Sequence, residues 1–385
     1  MIEIIVPDTQ FRIKSWCNQP EEKALEQARN LARLPFLAGD VCLMPDTHSG
    51  YGMPIGGVII TDNVIIPNAV GVDIGCGMVA QRSDINISYL SEDNLKTILG
   101  KIRNEIPVGF SHRKVGLPDL MPVKENMLPI VAREWENATY QLGTLGGGNH
   151  FIELQKDTDG YLWVMIHSGS RNIGKQVADW YVKEALDVNI FGLDPKWELN
   201  GFPLDHPMGQ QYAAEMEYCL RFALANRQIM LEAVRDCINS VCLANWDKES
   251  INIHHNYAAL EEHNGKKVWI HRKGATAASK GLVGIIPGSQ GTSSYIVEGL
   301  GNEASYQSCS HGAGRRMSRA AARKNLNLDE EQKMMNDKGI IHALRGAHDL
   351  DEAPGAYKDI QVVMDEQKDL VNPIVQLEAI GVIKG

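Results

Sequence analysis

The chain lacks the segments that would place a protein in or across a membrane. Its 385 residues contain no uninterrupted apolar run that approaches the roughly 18 residues of a transmembrane helix. The N-terminal stretch MIEIIVPDTQFRIKSW has no basic region followed by a long apolar one, and is typical of a strand. The seven cysteines are scattered singly, without a CxxC pair. We therefore expect no disulfide framework and predict a cytoplasmic protein, in a reducing compartment.

The chain also has fewer basic than acidic residues. The 38 Lys and Arg residues stand against 48 Asp and Glu, which gives a formal net charge of −10. This balance disfavours a protein that coats nucleic acid through bulk electrostatics, while a local basic site stays compatible with it. Any contact with nucleic acid is therefore expected to be local.

Repeats, low-complexity tracts and Pro/Ser-rich linkers are absent, so nothing in the composition divides the chain into separate units. Predicted helices and strands follow one another without a regular βαβ alternation. We therefore predict an α+β (mixed α/β) fold that forms a single domain over residues 1–385. Helices are predicted at 21–35, 91–106, 124–142, 174–186 and 210–241. The tail is expected to be helical and to close with a short strand, GVIKG.

The 36 glycines gather in short motifs, and one of them, GVDIGCGM, spans residues 71–78. Its glycines allow the backbone to turn so that Asp73 and Cys76 reach one ion. Histidines meet glycine-rich turns elsewhere, at His150, His167 and the pair His254–His255. Thiolate, carboxylate and imidazole together suit a borderline transition metal such as Zn²⁺, Mn²⁺ or Fe²⁺. The alternative is a set of hydrogen-bonded core histidines and a packed cysteine, and the spacing leaves both interpretations open.

A second group surrounds His311 in the turn SHGAG. We predict that a helix follows and carries Arg315, Arg319 and Arg323 on one face. A glycine turn that leads into a helix N-terminus offers N–H groups to phosphate, and arginines add bidentate contacts. His311 is then a candidate nucleophile towards a phosphoryl group. The alternative is an ordinary solvated basic face.

Together the motifs resemble those of a known family. They are PDTHSGYGMPIGG, GVDIGCGM, LGTLGGGNHFIE, HSGSRNIG, HHNY, IIPGSQGTSSYIV, CSHGAGRRMSR, DEAPGAYKDI and the terminal KG. In this order, from about residue 42 to the last residue, they resemble the RtcB family of RNA-splicing ligases. The resemblance implies one compact RtcB-like domain in which central mixed or antiparallel sheets are surrounded by helices.

The resemblance also implies an activity. It is that of a GTP- and Mn²⁺-dependent ligase, which joins an RNA 3′-phosphate or 2′,3′-cyclic phosphate to a 5′-hydroxyl in RNA repair or tRNA splicing. His311 would be guanylylated by GTP, and GMP would then pass to the RNA as an RNA(3′)pp(5′)G end. An archease-type activator is implied as a partner protein.

The resemblance assigns roles to particular residues. Two Mn²⁺ ions would be bound by Asp73, Cys76, His150, His167 and His255, with Cys76 between them. His255 is preferred to His254 because it directly precedes Asn256. Asp46 is expected near the reacting groups. The nucleotide would contact Asn149, Phe151, Glu153, Asn256, Ser289, Ser294, Ala313, Gly314, Tyr357 and Lys384. RNA phosphates would contact Arg171, Arg315 and Arg319.

Two other functions compete with this assignment. The Asp/Cys/His cluster also suits a metal-dependent cyclic-phosphate phosphoesterase that hydrolyses without ligation and without GTP. A non-catalytic protein that binds RNA or metal is the third interpretation. A requirement for GTP separates the first from the second.

Overall fold

A computed structural model describes residues 1–123 and 128–385. The strands of the described ranges, in chain order, are β1 Ile2–Ile5, β2 Arg12–Ser15, β3 Val41–His48, β4 Ile55–Thr61, β5 Val64–Ile65, β6 Gly77–Asn86, β7 Phe151–Asp157, β8 Tyr161–Ser168, β9 Phe202–Pro203, β10 Ile251–His254, β11 Asn256–His263, β12 Lys266–Lys273, β13 Ala275–Ala277, β14 Val283–Ile286, β15 Ser294–Gly299, β16 Ser308–Ser310 and β17 Val371–Lys384. The helices are α1 Glu22–Ala32, α2 Pro67–Val70, α3 Glu92–Glu105, α4 Pro129–Gln141, α5 Arg171–Val188, α6 Pro207–Asn239, α7 Arg319–Asn325, α8 Leu328–Asp337 and α9 Ile360–Glu366.

Two large sheets form the centre of this part of the chain. One has the order β1-β2-β3-β4-β12-β11 and contains a single parallel pair, β2 with β3. The other has the order β10-β6-β8-β7-β17-β15-β14, and its neighbouring strands are antiparallel throughout. Helices and mixed or antiparallel sheets therefore occur together, which confirms the predicted α+β class. The prediction of one domain over 1–385 stays a prediction.

Helix α6 is the longest element, with 33 residues. Its buried face includes Met216 and Leu220, which pack with α4 and α5, and Met230 and Val234, which pack against the seven-stranded sheet. Ala223 is buried as well. The apolar spacing of residues 210–241 predicts a buried stripe of Met216, Leu220, Ala223, Leu224, Met230 and Val234. The prediction is correct apart from Leu224, which is only partly buried. Pro207 begins the helix, where a proline costs no hydrogen bond. Burial of this face fixes α6 across one surface of the sheet.

The other predicted helices agree with the structure to within a few residues. Ser91 caps α3 through a capping box with Asn94, as its position before the periodic segment indicated. The helix predicted at 124–142 begins after its proline as α4, and residues 124–127 of that prediction lie outside the described residues. None of the described helices has both the length and the apolar composition needed to span a bilayer.

The prediction of a helix directly after the His311 turn is wrong. Helix α7 begins at Arg319, behind an N-cap at Ser318, so Arg315 does not share its face. The reason is the backbone of the preceding residues. Gly314 has a φ of 72°, and the Arg316 N–H donates to Ala356 O instead of to its own segment. The turn at His311 therefore does not lead into a helix N-terminus.

The C-terminal strand is longer than the predicted GVIKG. Strand β17 spans 14 residues and lies between β7 and β15, inside the seven-stranded sheet. Pro373 and the polar residues near it weaken the strand pattern, and pairing with two neighbours overrides that weakness. This strand carries Lys384 into register with Phe151.

Candidate active site

The turn between α2 and β6 holds the acid and the thiol of GVDIGCGM. Gly75 has a φ of 73°, and a Cβ there would lie 3.0 Å from Ala223 Cβ on α6. A glycine is therefore required both for the left-handed backbone and for the close approach of the helix. The Cys76 N–H donates to Asp73 O at 3.1 Å, which closes the turn and brings the two side chains together.

Three histidines reach this turn from separate parts of the chain. His150 directly precedes β7, and His167 lies near the end of β8, opposite Met78 of β6. His255 stands between β10 and β11, and its N–H donates to Cys76 O at 2.9 Å. The pairing of β6, β8 and β10 therefore assembles residues that lie far apart in sequence.

The ligand atoms form two groups that share Cys76. In one, Cys76 Sγ lies 3.2 Å from His167 Nε2, which lies 3.3 Å from His255 Nε2. In the other, His150 Nε2 lies 3.5 Å from Cys76 Sγ and 3.1 Å from Asp73 Oδ2. Within each group the atoms lie within 4.8 Å of one another. All five residues predicted as metal ligands are thus brought together.

The hydrogen bonds of the histidines suit a metal. His150 Nδ1 lies 3.0 Å from Leu145 O and His167 Nδ1 lies 3.2 Å from Asn149 O, so each donates its proton there. The Nε2 lone pairs then face the cluster, which is the usual arrangement of metal-bound histidine. Two nitrogens that bind one ion at about 2.0–2.1 Å and a tetrahedral angle lie about 3.3 Å apart. The donor set therefore fits a bound cation.

Burial shifts the pKa values of two histidines and of the thiol in the cluster. It lowers the pKa of His167 and His255 well below the usual range, so both imidazoles are neutral, as ligands must be. Burial, together with the charge of Asp73, raises the pKa of the Cys76 thiol well above its usual value. A cation at the cluster would reverse that shift, because a coordinating thiol is deprotonated.

His254 and Arg227 support the cluster from behind. His254 turns away from the other histidines, with Nδ1 3.1 Å from Gly75 O, and belongs to neither ligand group. Arg227, on α6, is fully buried and donates to Gly75 O at 2.9 Å, Ser168 O at 2.8 Å and Asn252 Oδ1 at 2.8 Å. One guanidinium thus holds the three segments that carry the Asp73–Cys76 turn, His167 and His255.

The neighbouring Asn226 holds the glycine turn before His150 in place through hydrogen bonds. Its Oδ1 accepts from the N–H groups of Gly143 and Thr144, and its Nδ2 donates to Ser168 Oγ. Sequence analysis missed both Asn226 and Arg227. The available signal was a pair of polar residues within the buried stripe of the longest amphipathic segment, since such groups are buried only with partners.

His311 lies beside the cluster and is held by Asp46. The distance from His311 Nδ1 to Asp46 Oδ2 is 2.5 Å, and the same oxygen accepts from the His311 backbone N–H at 3.1 Å. The His311 ring lies 4.8 Å from that of His255, measured between centroids. Because Nδ1 donates its hydrogen bond to the carboxylate, Nε2 carries the free lone pair. This is the arrangement of a nucleophile oriented by an acid.

A cavity of about 480 Å³ opens next to His311. Most of the predicted nucleotide contacts line it: Asn149, Phe151, Glu153, Ser289, Ala313, Gly314, Tyr357 and Lys384. Ser294 is buried beside it, where its Oγ accepts from the Gly288 N–H. Asn256 instead lines a second cavity of about 870 Å³, together with Asp73, Cys76 and His255. His311, Asn149 and Arg319 line both cavities, so the cluster lies between them.

Glu352 connects the predicted guanine and RNA contacts, and sequence analysis missed it. It accepts from Arg319 at 3.0 Å and Arg315 at 3.3 Å, forms a hydrogen bond with Tyr357 Oη, and lies 3.9 Å from Lys384 Nζ. Burial raises the pKa of Tyr357 well above its usual range, with a further rise from Glu352. The only sequence signal for Glu352 was its position as an acid inside the motif DEAPGAYKDI. Arg315 and Arg319 are therefore ion-paired in this structure.

Arg171 is placed differently from these two arginines. Its side chain is partly buried, and in the described parts of the chain it forms no ion pair with a carboxylate. Its Nε lies 3.4 Å from Thr144 Oγ1 and its Nη1 lies 3.4 Å from His150 Nδ1, both long for hydrogen bonds. The guanidinium is thus a positive group with spare donors beside the cluster.

Comparison with known proteins defines the class. The sequence model of the family described as "tRNA-splicing ligase RtcB" matches residues 27–129 and 122–385. The chain is 37% identical over 400 residues to the RNA-splicing ligase RtcB of Escherichia coli K12, with 97% of each chain covered. It is 33% identical over 448 residues to the tRNA-splicing ligase RtcB of Archaeoglobus fulgidus, with 95% of this chain and 92% of the relative covered.

These matches identify the protein as an RNA ligase. The chain belongs to the RtcB family of RNA-splicing ligases, which confirms the resemblance carried by its motifs. The assignment decides against the phosphoesterase without ligation and against a non-catalytic binding protein.

The Arg227 network generates the first testable prediction. Arg227→Met removes the buried donor shared by Gly75 O, Ser168 O and Asn252 Oδ1, and should lower the free energy of unfolding by about 3 kcal/mol or more. It should also weaken metal binding about 10- to 100-fold, since the ligand segments lose their support. Urea unfolding and metal titration measure the two effects.

Gln228→Met is the matched control, because Gln228 is next in the chain and bonds Glu232 on the same helix. It should change both quantities little. Equal behaviour of the two variants would show that Arg227 does not support the centre.

Proposed function

We propose that this RNA ligase depends on GTP and Mn²⁺ and that His311 carries GMP between GTP and RNA. The observation that supports this most is the His311–Asp46 pair, which stands at the junction of two cavities and beside the ligand cluster. One cavity has the lining expected for a nucleotide. The other opens from the metal cluster, where RNA ends would have to meet.

Two Mn²⁺ ions are proposed for the cluster. Asp73, Cys76 and His150 would hold one, Cys76, His167 and His255 would hold the other, and Cys76 would bridge. The ions would supply charge neutralisation on the phosphates and Lewis acidity towards the reacting phosphoryl oxygens. Cys76 is a soft ligand for Mn²⁺, so the site would also accept Zn²⁺ or Co²⁺.

His311 Nε2 attacks the α-phosphorus of GTP in the proposed first step. The N–P bond forms, the bond from the α-phosphorus to its bridging oxygen breaks, and pyrophosphate leaves. Asp46 accepts a hydrogen bond from Nδ1–H and stabilises the positive charge that develops on the imidazole. Asn149 and Asn256 would contact the phosphates of GTP.

The RNA enters in the later steps. Water first opens a 2′,3′-cyclic end, breaking the bond from phosphorus to the 2′-oxygen and leaving a 3′-phosphate and a 2′-hydroxyl. An oxygen of the 3′-phosphate then attacks the phosphorus on His311, the N–P bond breaks, and the free histidine is restored. The product is an RNA(3′)pp(5′)G end. The 5′-hydroxyl of the second RNA end attacks the 3′-phosphate, GMP leaves, and a 3′,5′-phosphodiester forms. Phosphoryl transfer of this kind needs positioning and charge stabilisation more than covalent chemistry from the protein.

Specificity for guanine is proposed to come from the inner end of the smaller cavity. Phe151 and Tyr357 would flank the base, Glu153, Ser294 and Lys384 would contact its edge, and Ser289, Ala313 and Gly314 would lie around the ribose. Arg171, Arg315 and Arg319 are proposed to bind RNA phosphates. For Arg315 and Arg319 this requires a looser pairing with Glu352. We further propose a cytoplasmic role in RNA repair or tRNA splicing, with an archease-type activator as partner.

Covalent labelling tests the nucleophile. Protein incubated with α-labelled GTP and Mn²⁺ should form an adduct that is acid-labile and base-stable, as a phosphoramidate is. His311→Ala should not label. Asp46→Asn should label at least about a hundredfold more slowly, because the imidazole loses its negative partner.

The control for this experiment is His348→Ala, whose side chain is 82% exposed. It should label like the wild type. Labelling of His311→Ala at the wild-type rate would refute the assignment.

Ligation of a broken RNA tests the complete reaction. A strand with a 2′,3′-cyclic phosphate and a strand with a 5′-hydroxyl should be joined only when both GTP and Mn²⁺ are present, because His311 must first carry GMP. Gel analysis of the product measures this. Turnover of the cyclic phosphate without GTP and without a joined product would contradict the proposal.

The pH dependence of GTP binding tests Glu153. Burial raises the pKa of Glu153 to about 7, so its carboxyl keeps a proton in the empty pocket up to neutral pH. The guanine edge presents N–H donors, which need the carboxylate as acceptor. GTP binding without metal should therefore strengthen by up to about tenfold per pH unit as pH rises towards 7, and level off above it.

Glu153→Gln has no titrating carboxyl, so calorimetry should find weaker binding that lacks this part of the pH dependence. Titration of the GTP phosphates is common to both proteins and cancels in the comparison. Parallel pH curves for the two proteins would contradict a role of Glu153 in binding guanine.

A further inference from the structure

Phe110 is a large aromatic side chain that makes almost no contact with the rest of the protein. Its exposure is 103% of that of a free residue, so the described chain covers none of the ring. An isolated exposed apolar residue is common on protein surfaces and needs no explanation by itself. The setting of Phe110 is what distinguishes it.

The backbone holds Phe110 at the corner of a tight turn. The Ser111 N–H donates to Val108 O at 3.1 Å, and Gly109 between them has a φ of 62°. Phe110 itself does not have a positive φ, a combination typical of a type II′ turn with glycine at its first central position. The ring therefore projects from a defined corner.

This turn is anchored on both sides. On one side the Gly109 N–H donates to Gly146 O at 2.8 Å, and the Leu145 N–H donates to Pro107 O at 3.0 Å. On the other side the Arg113 guanidinium donates to Leu142 O at 2.9 Å and to Gly143 O at 3.1 Å. An exposed ring on an anchored turn loses little conformational freedom when it binds a partner.

The anchor is the glycine turn that leads into the active site. A Cβ on Gly147 would lie 3.7 Å from Gly109 Cα, and one on Gly148 would lie 3.1 Å from Arg319 Nη2. A Cβ on Gly146 would collide with the guanidinium of Arg171. Asn149 and His150 follow directly. The Phe110 corner and the two arginines thus border one three-residue turn, Gly146 to Gly148.

We propose that Phe110 stacks on a nucleobase of the RNA, close to the end that is being joined. Every base offers an apolar π-face, and a protein that holds single-stranded RNA without sequence preference combines stacking aromatics with cations along the backbone. Here Arg171 and Arg319 supply the cations and Phe110 supplies the aromatic face. Exposed Lys114, near the same loop, adds positive charge.

This inference rests on the proposed RNA ligation, and it adds a base-binding subsite to it. The ring lies outside both cavities, so the nucleotide that reacts with His311 does not touch it. Stacking on Phe110 should therefore affect the RNA steps and leave the guanylylation of His311 unchanged. This division separates the subsite from the catalytic machinery.

The test compares substitutions at Phe110 in both steps. Phe110→Ala should weaken binding of a single-stranded 3′-phosphate RNA about five- to a hundredfold and should raise KM for ligation, with labelling of His311 by GTP unaltered. Phe110→Trp should retain binding, whereas Phe110→Leu should lose it, because leucine is apolar but has no aromatic face. Because the Phe110 ring packs against almost nothing in the protein, its substitution should not destabilise the fold. A loss of RNA binding would therefore not reflect misfolding.

Tyr89→Ala is the matched control. Tyr89 is 85% exposed and follows the end of β6 that lies away from Cys76, so its loss should not affect RNA binding. An RNA with one abasic nucleotide near the 3′ end identifies the stacked base. At that position the abasic RNA should bind wild type as weakly as intact RNA binds Phe110→Ala, and the two changes together should add little.

Wild-type RNA binding and ligation by Phe110→Ala would overturn the inference, and would leave the exposed ring to a protein partner or to no partner. Effects of Phe110→Ala and Phe110→Trp of equal size would overturn it as well. If the wild type itself forms no joined RNA, the proposed function fails, which is a different result from failure of this subsite alone.

Discussion

One buried guanidinium holds the candidate metal centre together. Arg227 comes from the middle of α6 and bonds Gly75 O, Ser168 O and Asn252 Oδ1, which belong to the segments that carry the ligands. A charge that is buried away from water needs an opposite charge nearby. Cys76, once its thiol is deprotonated, and Asp73 raise the pKa of Arg227 against the lowering effect of burial. The acid and the thiol that suit a cation therefore also stabilise the arginine that positions them.

The arrangement around His311 is consistent with the two substrates proposed for this centre. Asp46 holds one imidazole nitrogen, and the other is free at the junction of two cavities. Beside the smaller cavity, Glu352 joins Tyr357, Lys384, Arg315 and Arg319 in one network of hydrogen bonds and ion pairs. A ligand at the proposed guanine site would therefore affect the arginines through a single carboxylate. Glu352 also offsets part of the positive charge of Arg315, Arg319 and Lys384.

The sequence predicted more of the fold and the ligands than of the groups that support them. Helices α3 and α6 were predictable because capping at Ser91 and the apolar stripe of α6 are local signals. The helix expected after His311 was wrong because the backbone at Arg316 bonds Ala356, forty residues onward in the sequence. Arg227 and Glu352 were missed for the same reason, since their partners are distant segments. The ligand set was predicted through the resemblance of its motifs, and spacing alone left it open.

The sequence by itself determined the local chemistry. It fixed the donor types at Asp73, Cys76 and the histidines, the glycine at position 75 that allows a close turn against α6, and the apolar patterns of the main helices. Tertiary structure alone decided which donors meet. Pairing of β6, β8 and β10 brings Cys76, His167 and His255 together, and the fold turns His254 towards Arg227 while His255 faces the cluster. The physical reason is that a side chain's direction in a sheet follows from strand pairing and register, which depend on residues far away in the chain.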